Sequence, residues 1–143
     1  MKNILETVEK NGNCNIFMAA VRRAGLTEAL GAAGPFTVFV PTDEAFAELS
    51  DESVAEMLRD RKMITTILNY HVAFGRMTTK DMSGPISART VMGRQIFVLP
   101  EGGEVKVDGA SITEADIKCS NGVIEVISSV LLPRNSPKEE TVA

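Results

Sequence analysis

The chain has no tryptophan, one tyrosine, one histidine and two cysteines in 143 residues. Each scarcity removes a class of function. A lone His71 with Cys14 and Cys119 far apart makes no zinc-ligand spacing, so no metal is expected. The two thiols read as free and in or near the core; spacing alone leaves a disulfide open. No apolar run approaches the ~20 residues of a membrane helix. No basic block exists: residues 1–82 hold 9 basic and 11 acidic side chains and residues 83–143 hold 6 and 8, so each part carries −2 of the total −4. Nucleic-acid binding rests on phosphate neutralisation and is not expected. The sequence has no Asn-x-Ser/Thr acceptor, no G-x-x-x-x-G-K-[ST] phosphate loop and no G-x-S-x-G elbow. No cofactor is called for.

What is present is ordinary for a soluble globular domain, with 44% apolar and 24% charged residues. The length fits one domain, and a chain of this size hides about two-thirds of its unfolded surface, enough to do without a metal or disulfide staple. The opening "MKNILETVEKNG" is amphipathic and interrupted by Glu6 and Glu9, unlike a signal-peptide core. The expected location is cytoplasmic for the chain as written, or the cell surface for an exported form whose leader was removed.

Helical spacing dominates the first half. Ile4, Leu5 and Val8 share a face; Ile16, Phe17, Ala20, Val21 and Ala24 share another, with Gly25 as the stop. Thr27 is read as the cap of a short helix, and Ser50 as the cap of a longer one. Met63, Ile64, Ile67 and Leu68 form a further apolar face ending at "NYH". From residue 71 the period changes to strands. "GR" at 93–94, "EGGE", "DG" at 108–109 and "NG" at 121–122 punctuate apolar runs, and Asp-Gly and Asn-Gly are strong hairpin signals because both positions accept positive φ. Helices first and strands later predict an α+β fold with an antiparallel sheet. The end "PRNSPKEETVA" reads as a polar tail.

The stretch "FTVFVPTDEAFAEL", residues 36–49, joins a strand to a helix. Pro41 cannot donate to a ladder and ends the strand. Thr42 is placed to cap the helix, with Asp43 and Glu44 in its first turn, where the dipole favours negative charge. Adjacent helical residues diverge by ~100°, so these two carboxylates do not face each other as an acid/base pair. Phe46 falls on the inner face.

This stretch, "ILNYHV", and "NGVIEVISSVLLP" at 121–133 together resemble the fasciclin-like domain, in the family's order and spacing, over residues 2–134. The resemblance implies an antiparallel β-sandwich or wedge of about seven strands with a helical layer. It implies one domain over residues 1–134 with residues 135–143 as the tail, and a non-enzymatic adhesion or binding role toward a protein, cell-surface or matrix partner, as a monomer or weak homo-oligomer. One short domain looks like the single-domain prokaryotic kind. It marks Thr37, Phe39, Pro41, Thr42, Asp43, Phe46, His71, Asn121, Gly122 and Pro133 as motif residues of structural use. Tyr70 and His71 become candidate partner contacts. Two positions depart from the family: Glu125 stands in place of the usual histidine and Ser128 in place of an aspartate.

For His71 the plain reading is a buried imidazole tying the "NYH" helix to the first signature, bonded to main chain or to groups near Thr42 and Asp43. The sharper alternative is a hydrolase-like relay of His71 with Asp43 and Ser128 or Ser129. A third reading is a self-assembling subunit. Tyr70 is expected to pack on the helix layer with its hydroxyl at the surface. Met57 and Met63 are expected to fill the core, and Met77, Met82 and Met92 to lie near loops where they line an adaptable surface or fill core gaps.

Overall fold

The computed structural model describes residues 2–32 and 34–132, so Pro133 and the tail lie outside the described residues. Six helices come largely before the strands: α1 (Ile4–Asn11), α2 (Asn15–Ala24), α3 (Thr27–Gly31), α4 (Asp43–Ala47), α5 (Asp51–Arg59) and α6 (Arg61–Tyr70). Local chemistry sets their ends. Asn3 and Glu6 form a capping box on α1, while Ser50 and Asp60 accept the amides of Ser53 and Met63 to start α5 and α6. Gly25 ends α2 at φ 73, a conformation glycine adopts without a Cβ penalty. Thr27 is already helical; Leu26 precedes it without a side-chain cap.

The strands are β1 (Phe36–Pro41), β2 (Val72–Phe74), β3 (Ile86–Arg89), β4 (Gln95–Glu101), β5 (Glu104–Val107), β6 (Ala110–Cys119) and β7 (Gly122–Ile127). They form one seven-stranded sheet in the order β2-β1-β7-β6-β5-β4-β3. This corrects the expected antiparallel sandwich. β1 and β7 run parallel, Phe36 opposite Gly122 through Pro41 opposite Ile127, so the sheet is mixed. The hairpin signals sit between sequence neighbours and report only antiparallel pairs; the parallel seam joins distant segments and has no local signature. The sheet also curls on itself, until Ala73 of β2 bridges Thr90 just after β3, giving a nearly closed, barrel-like wedge. The runs "ASIT" and "DIKC" are parts of the single strand β6, which breaks register with β7 twice, between Ile112 and Glu114 and between Glu114 and Ile117.

Two apolar cores lie on opposite faces of the β1–β7 seam. Val38, Val40, Ile124 and Val126 pack against the helices with Ile4, Phe17, Val21, Ile64 and Leu68. Phe39 and Ile127 point the other way, into the curled sheet, with Tyr70, Met82, Ile96, Val98 and Val107. A strand buried on both faces is apolar at nearly every position, as "FTVFV" and "GVIEVI" are. Thr37 and Glu125 are the exceptions, and each needs a polar partner inside.

Candidate functional site

At the strand-to-helix corner, Thr42 Oγ1 accepts the Ala45 amide at 3.1 Å and caps α4. Asp43 works at longer range than its position in the first turn implies. Its Oδ1 accepts the Ile16 amide at 2.8 Å and its Oδ2 accepts from Asn15 Nδ2 at 3.1 Å. Asp43 therefore caps α2, whose own N-cap residue, Cys14, makes no side-chain cap. Pro41 is the last paired residue of β1, and Phe46 is buried in the helical core. Thr37 spends its hydroxyl twice: it donates to the Gly75 carbonyl at 2.7 Å and accepts the Met77 amide at 2.8 Å.

Asn121 pins three segments. Its Oδ1 accepts the Ile4 amide at 2.9 Å, and its Nδ2 donates to the carbonyls of Leu30 at 2.9 Å and Ala32 at 2.7 Å. Gly122 begins β7 after a hairpin turn, but not with the positive φ that Asn-Gly suggested. It is glycine because a Cβ there would collide with the Phe36 carbonyl across the parallel seam.

Tyr70 and His71 are each 1% exposed. Tyr70 packs inside the curled sheet rather than on the helix layer, and its hydroxyl donates to Asp108 Oδ2 instead of ending at the surface. His71 Nδ1 donates to the Ile67 carbonyl at 2.8 Å, and Nε2 accepts the Leu131 amide at 3.0 Å. The side chain thus ties α6 to the segment after β7, not to Thr42 or Asp43; only its backbone carbonyl reaches the first signature, accepting the Phe39 amide at 2.8 Å. Burial lowers the imidazole to about 4, with the Ile67 carbonyl opposing, so the ring is neutral at neutral pH. Contact with a partner through either ring would require it to leave its pocket.

The relay is not assembled. Ser128 Oγ accepts the Ser111 amide at 3.0 Å, Ser129 Oγ donates to Glu48 at 2.9 Å, and Asp43 is engaged on α2. Cys14 and Cys119 are both free and buried. Burial, then Asp43 and Glu114, pushes the Cys14 thiol up to about 11, far from a reactive thiolate.

Two features had no clear signal in the sequence. The first is a carboxyl pair. Glu125, 0% exposed, accepts the Asp116 amide through Oε1 at 2.8 Å, and its Oε2 is buried without a hydrogen-bond partner. Burial lifts this carboxyl to about 8, opposed by the Asp116 amide and helped by the Asp116 carboxylate. The second is a groove of about 390 Å³ between α5 and α6, walled by Leu49, Met57, Met63, Ile67 and Leu132 with Glu56, Asp60 and Lys62 among its polar residues. Met63, expected in the core, is 40% exposed here, whereas Met82, for which surface lining and core filling were both open, is buried. Met57 and Met63 fit a core reading by their chemistry, and the polar Ser53, Glu56 and Asp60 beside them read as a solvated face, so sequence did not reveal the groove.

The fold agrees with the comparisons. The Fasciclin domain family matches residues 12–133, and the chain belongs to that family. It is 40% identical over 133 residues to protein sll1483 of a Synechocystis strain, covering 91% of this chain and 73% of that one. It is 31% identical over 140 residues to the transforming growth factor-beta-induced protein ig-h3 of Sus scrofa, covering 97% of this chain but 20% of that protein. Among solved structures, a FAS1 domain pair from the insect cell adhesion molecule Fasciclin I superposes with a TM-score of 0.77 at 24% identity, covering 93% of this chain and 51% of that one. Among the described residues no helix is long and apolar enough to cross a membrane, and no group of three or more His, Cys, Asp or Glu is placed to hold a metal ion.

Proposed function

We propose that this chain is a non-enzymatic contact module that binds another protein at a cell surface or in a matrix, using the α5–α6 groove. The observation that carries this reading is where the bonding capacity goes. Both nitrogens of the only histidine are spent on main chain in a sealed site, while the open concavity lies elsewhere and is walled by apolar side chains. An enzyme needs convergent polar groups around its base in a pocket. A contact site needs apolar surface with an orienting charge. Family membership supports the same reading, and the insect structural neighbour is a cell adhesion molecule.

The occupant is an apolar segment carrying a lysine or arginine. Glu56 and Asp60 against Lys62 leave the lining one negative charge in excess, two minus one, and Glu52 lies one helical turn from Glu56. Met57 and Met63 let the walls adapt to the anchor. The test is a displayed library of short amphipathic peptides, with bound positions mapped by amide chemical shifts. Selected peptides are expected to carry apolar anchors beside a basic residue, to shift α5 and α6 resonances, and to lose binding to Met63→Glu. Enrichment of acidic peptides, or shifts confined to other elements, would overturn the reading.

A further inference from the structure

The second break in β6 is a junction of three elements. Asp116 sits there at φ 57, a backbone conformation uncommon for a residue with a side chain. Its amide is held from one side by Glu125 Oε1 of β7. Its carboxylate holds the other side: Oδ1 accepts the Thr79 amide at 2.9 Å and Oδ2 accepts the Thr79 hydroxyl at 2.6 Å. Thr79 starts a 3-10 turn, Thr79–Met82, that lowers Met82 into the core inside the curled sheet. The order of support is therefore Glu125, then the Asp116 bulge, then this turn. At the base of the series is an enclosed carboxyl oxygen with nothing bonded to it.

We propose that Glu125 is a proton-controlled latch: protonated, it keeps the Asp116 bulge and the Thr79–Met82 turn seated, and its ionisation loosens both.

The charges around it decide the sign. β7 carries no other charge. β6 brings Glu114, Asp116 and Lys118; the segment before and within the turn brings Arg76, Lys80 and Asp81; β1 faces it with Thr37 and Phe39 and no charge. Burial itself raises the Glu125 carboxyl most; of these groups Asp116 acts on it in both directions, its amide lowering it and its carboxylate raising it. Asp116 goes the other way. Burial works to raise it, but the Thr79 hydroxyl, Glu125, the Thr79 amide and Lys118 bring it below its ordinary value. Asp116 thus keeps its charge while Glu125 keeps its proton. Taking that proton away puts a buried Glu125 carboxylate beside the half-buried, charged Asp116, where the two like charges repel. Opening the turn lets water reach Glu125.

Linkage gives the pH range. The closed form holds the Glu125 proton up to about 8, while a solvated glutamate releases it near 4.5. Opening coupled to loss of one proton increases about tenfold per pH unit between those values and levels off above the upper one. The latch is tightest in acid.

The test is amide hydrogen exchange on the full 143-residue chain from pH 5 to 9, corrected for the intrinsic rate. The Thr79 and Asp116 amides are expected to exchange faster than Ile64 in α6, through a local opening that grows about tenfold per pH unit and flattens near pH 8. Glu125→Gln keeps the acceptor for the Asp116 amide and has no charge, so its opening is expected to be flat across the range. A wild-type profile without the slope, a Gln variant that retains it, or Thr79 exchanging no faster than Ile64 overturns the proposal. A second measurement needs no variant: the side-chain carboxyl carbon of Glu125 is expected to titrate near 8, and a midpoint near 4.5 also overturns it.

Discussion

His71 and Asn121 on one side, and Glu125 on the other, show two ways of burying a polar group. The imidazole and the amide use every ring nitrogen and side-chain atom they have: two bonds for His71, three for Asn121, all to main chain. They join pieces that sequence keeps apart, Ile67 to Leu131 and Ile4 to the end of α3. Glu125 lies in β7 opposite Phe39 of β1, with one oxygen bonded and one bare. A saturated buried group acts as a fixed rivet, because no protonation state improves on the one it has. A half-saturated group keeps a proton to remain tolerable, and so stays sensitive to its surroundings. Burial drives both titratable groups toward their neutral forms, the imidazole down and the carboxyl up.

The largest effect that would break this comparison is at Asn121. Its replacement by alanine strands the Ile4 amide and two carbonyls, and is expected to cost about 3 kcal/mol in denaturant unfolding; a loss below about 1 kcal/mol would mean that water replaces the amide without penalty. His71→Ala is expected to cost about 1–3 kcal/mol. A wild-type melting curve for that variant would remove the tie to Leu131.

The pH profile sharpens the contrast. For His71, folded near 4 against 6.5 unfolded, the unfolded chain binds the extra proton, so stability rises with pH across that window. For Glu125, folded near 8 against 4.5 unfolded, the native state binds it, so stability falls with pH between those values. The two slopes cancel between 4.5 and 6.5, leaving a plateau with a decline on each side. Denaturant midpoints from pH 3.5 to 9 test this. Glu125→Gln is expected to abolish the alkaline decline and, at pH 8, to be more stable than wild type by at least about 1 kcal/mol, the linkage gain outweighing the cost of the buried amide. An alkaline decline that persists in this variant belongs to some other group.

Asp43→Ala removes the remote cap of α2 and is expected to cost about 1 kcal/mol, read as faster exchange of the Asn15 and Ile16 amides. If those amides are unaffected, the cap contributes nothing to α2. The smallest effect is at the groove. Met63→Ala is expected to change stability by no more than about 0.5 kcal/mol while weakening peptide binding; a larger loss would place Met63 in the core after all.

The contrast also explains how much could be read in advance. Helix periodicity, the Thr42 and Ser50 caps, and the turns at Asp108-Gly109 and Gly102-Gly103 are local, and their φ values and bonds follow from residues within a few positions. Gly122 was legible as important for the wrong physical reason: the hairpin does turn there, but the constraint is a backbone approaching from β1. Asp43 looked like a first-turn charge because sequence shows its own helix and not α2 beside it. The register breaks that turn Asp116 toward Thr79 left no pattern, since a bulge changes spacing without changing residue type. Burial of Tyr70 inside the curled sheet depends on closure through Ala73 and Thr90, which no single segment encodes.

The parallel seam has a consequence for biosynthesis. Phe36 meets Gly122, which the ribosome adds 86 positions later, and the Ile4 amide waits for Asn121, 117 positions away. Pairings of such long range close late and slowly. Until β7 leaves the exit tunnel, the helices have emerged with one wall of their core missing and the apolar face of β1 uncovered. Nascent chains arrested before Gly122 are therefore the ones expected to need chaperone cover.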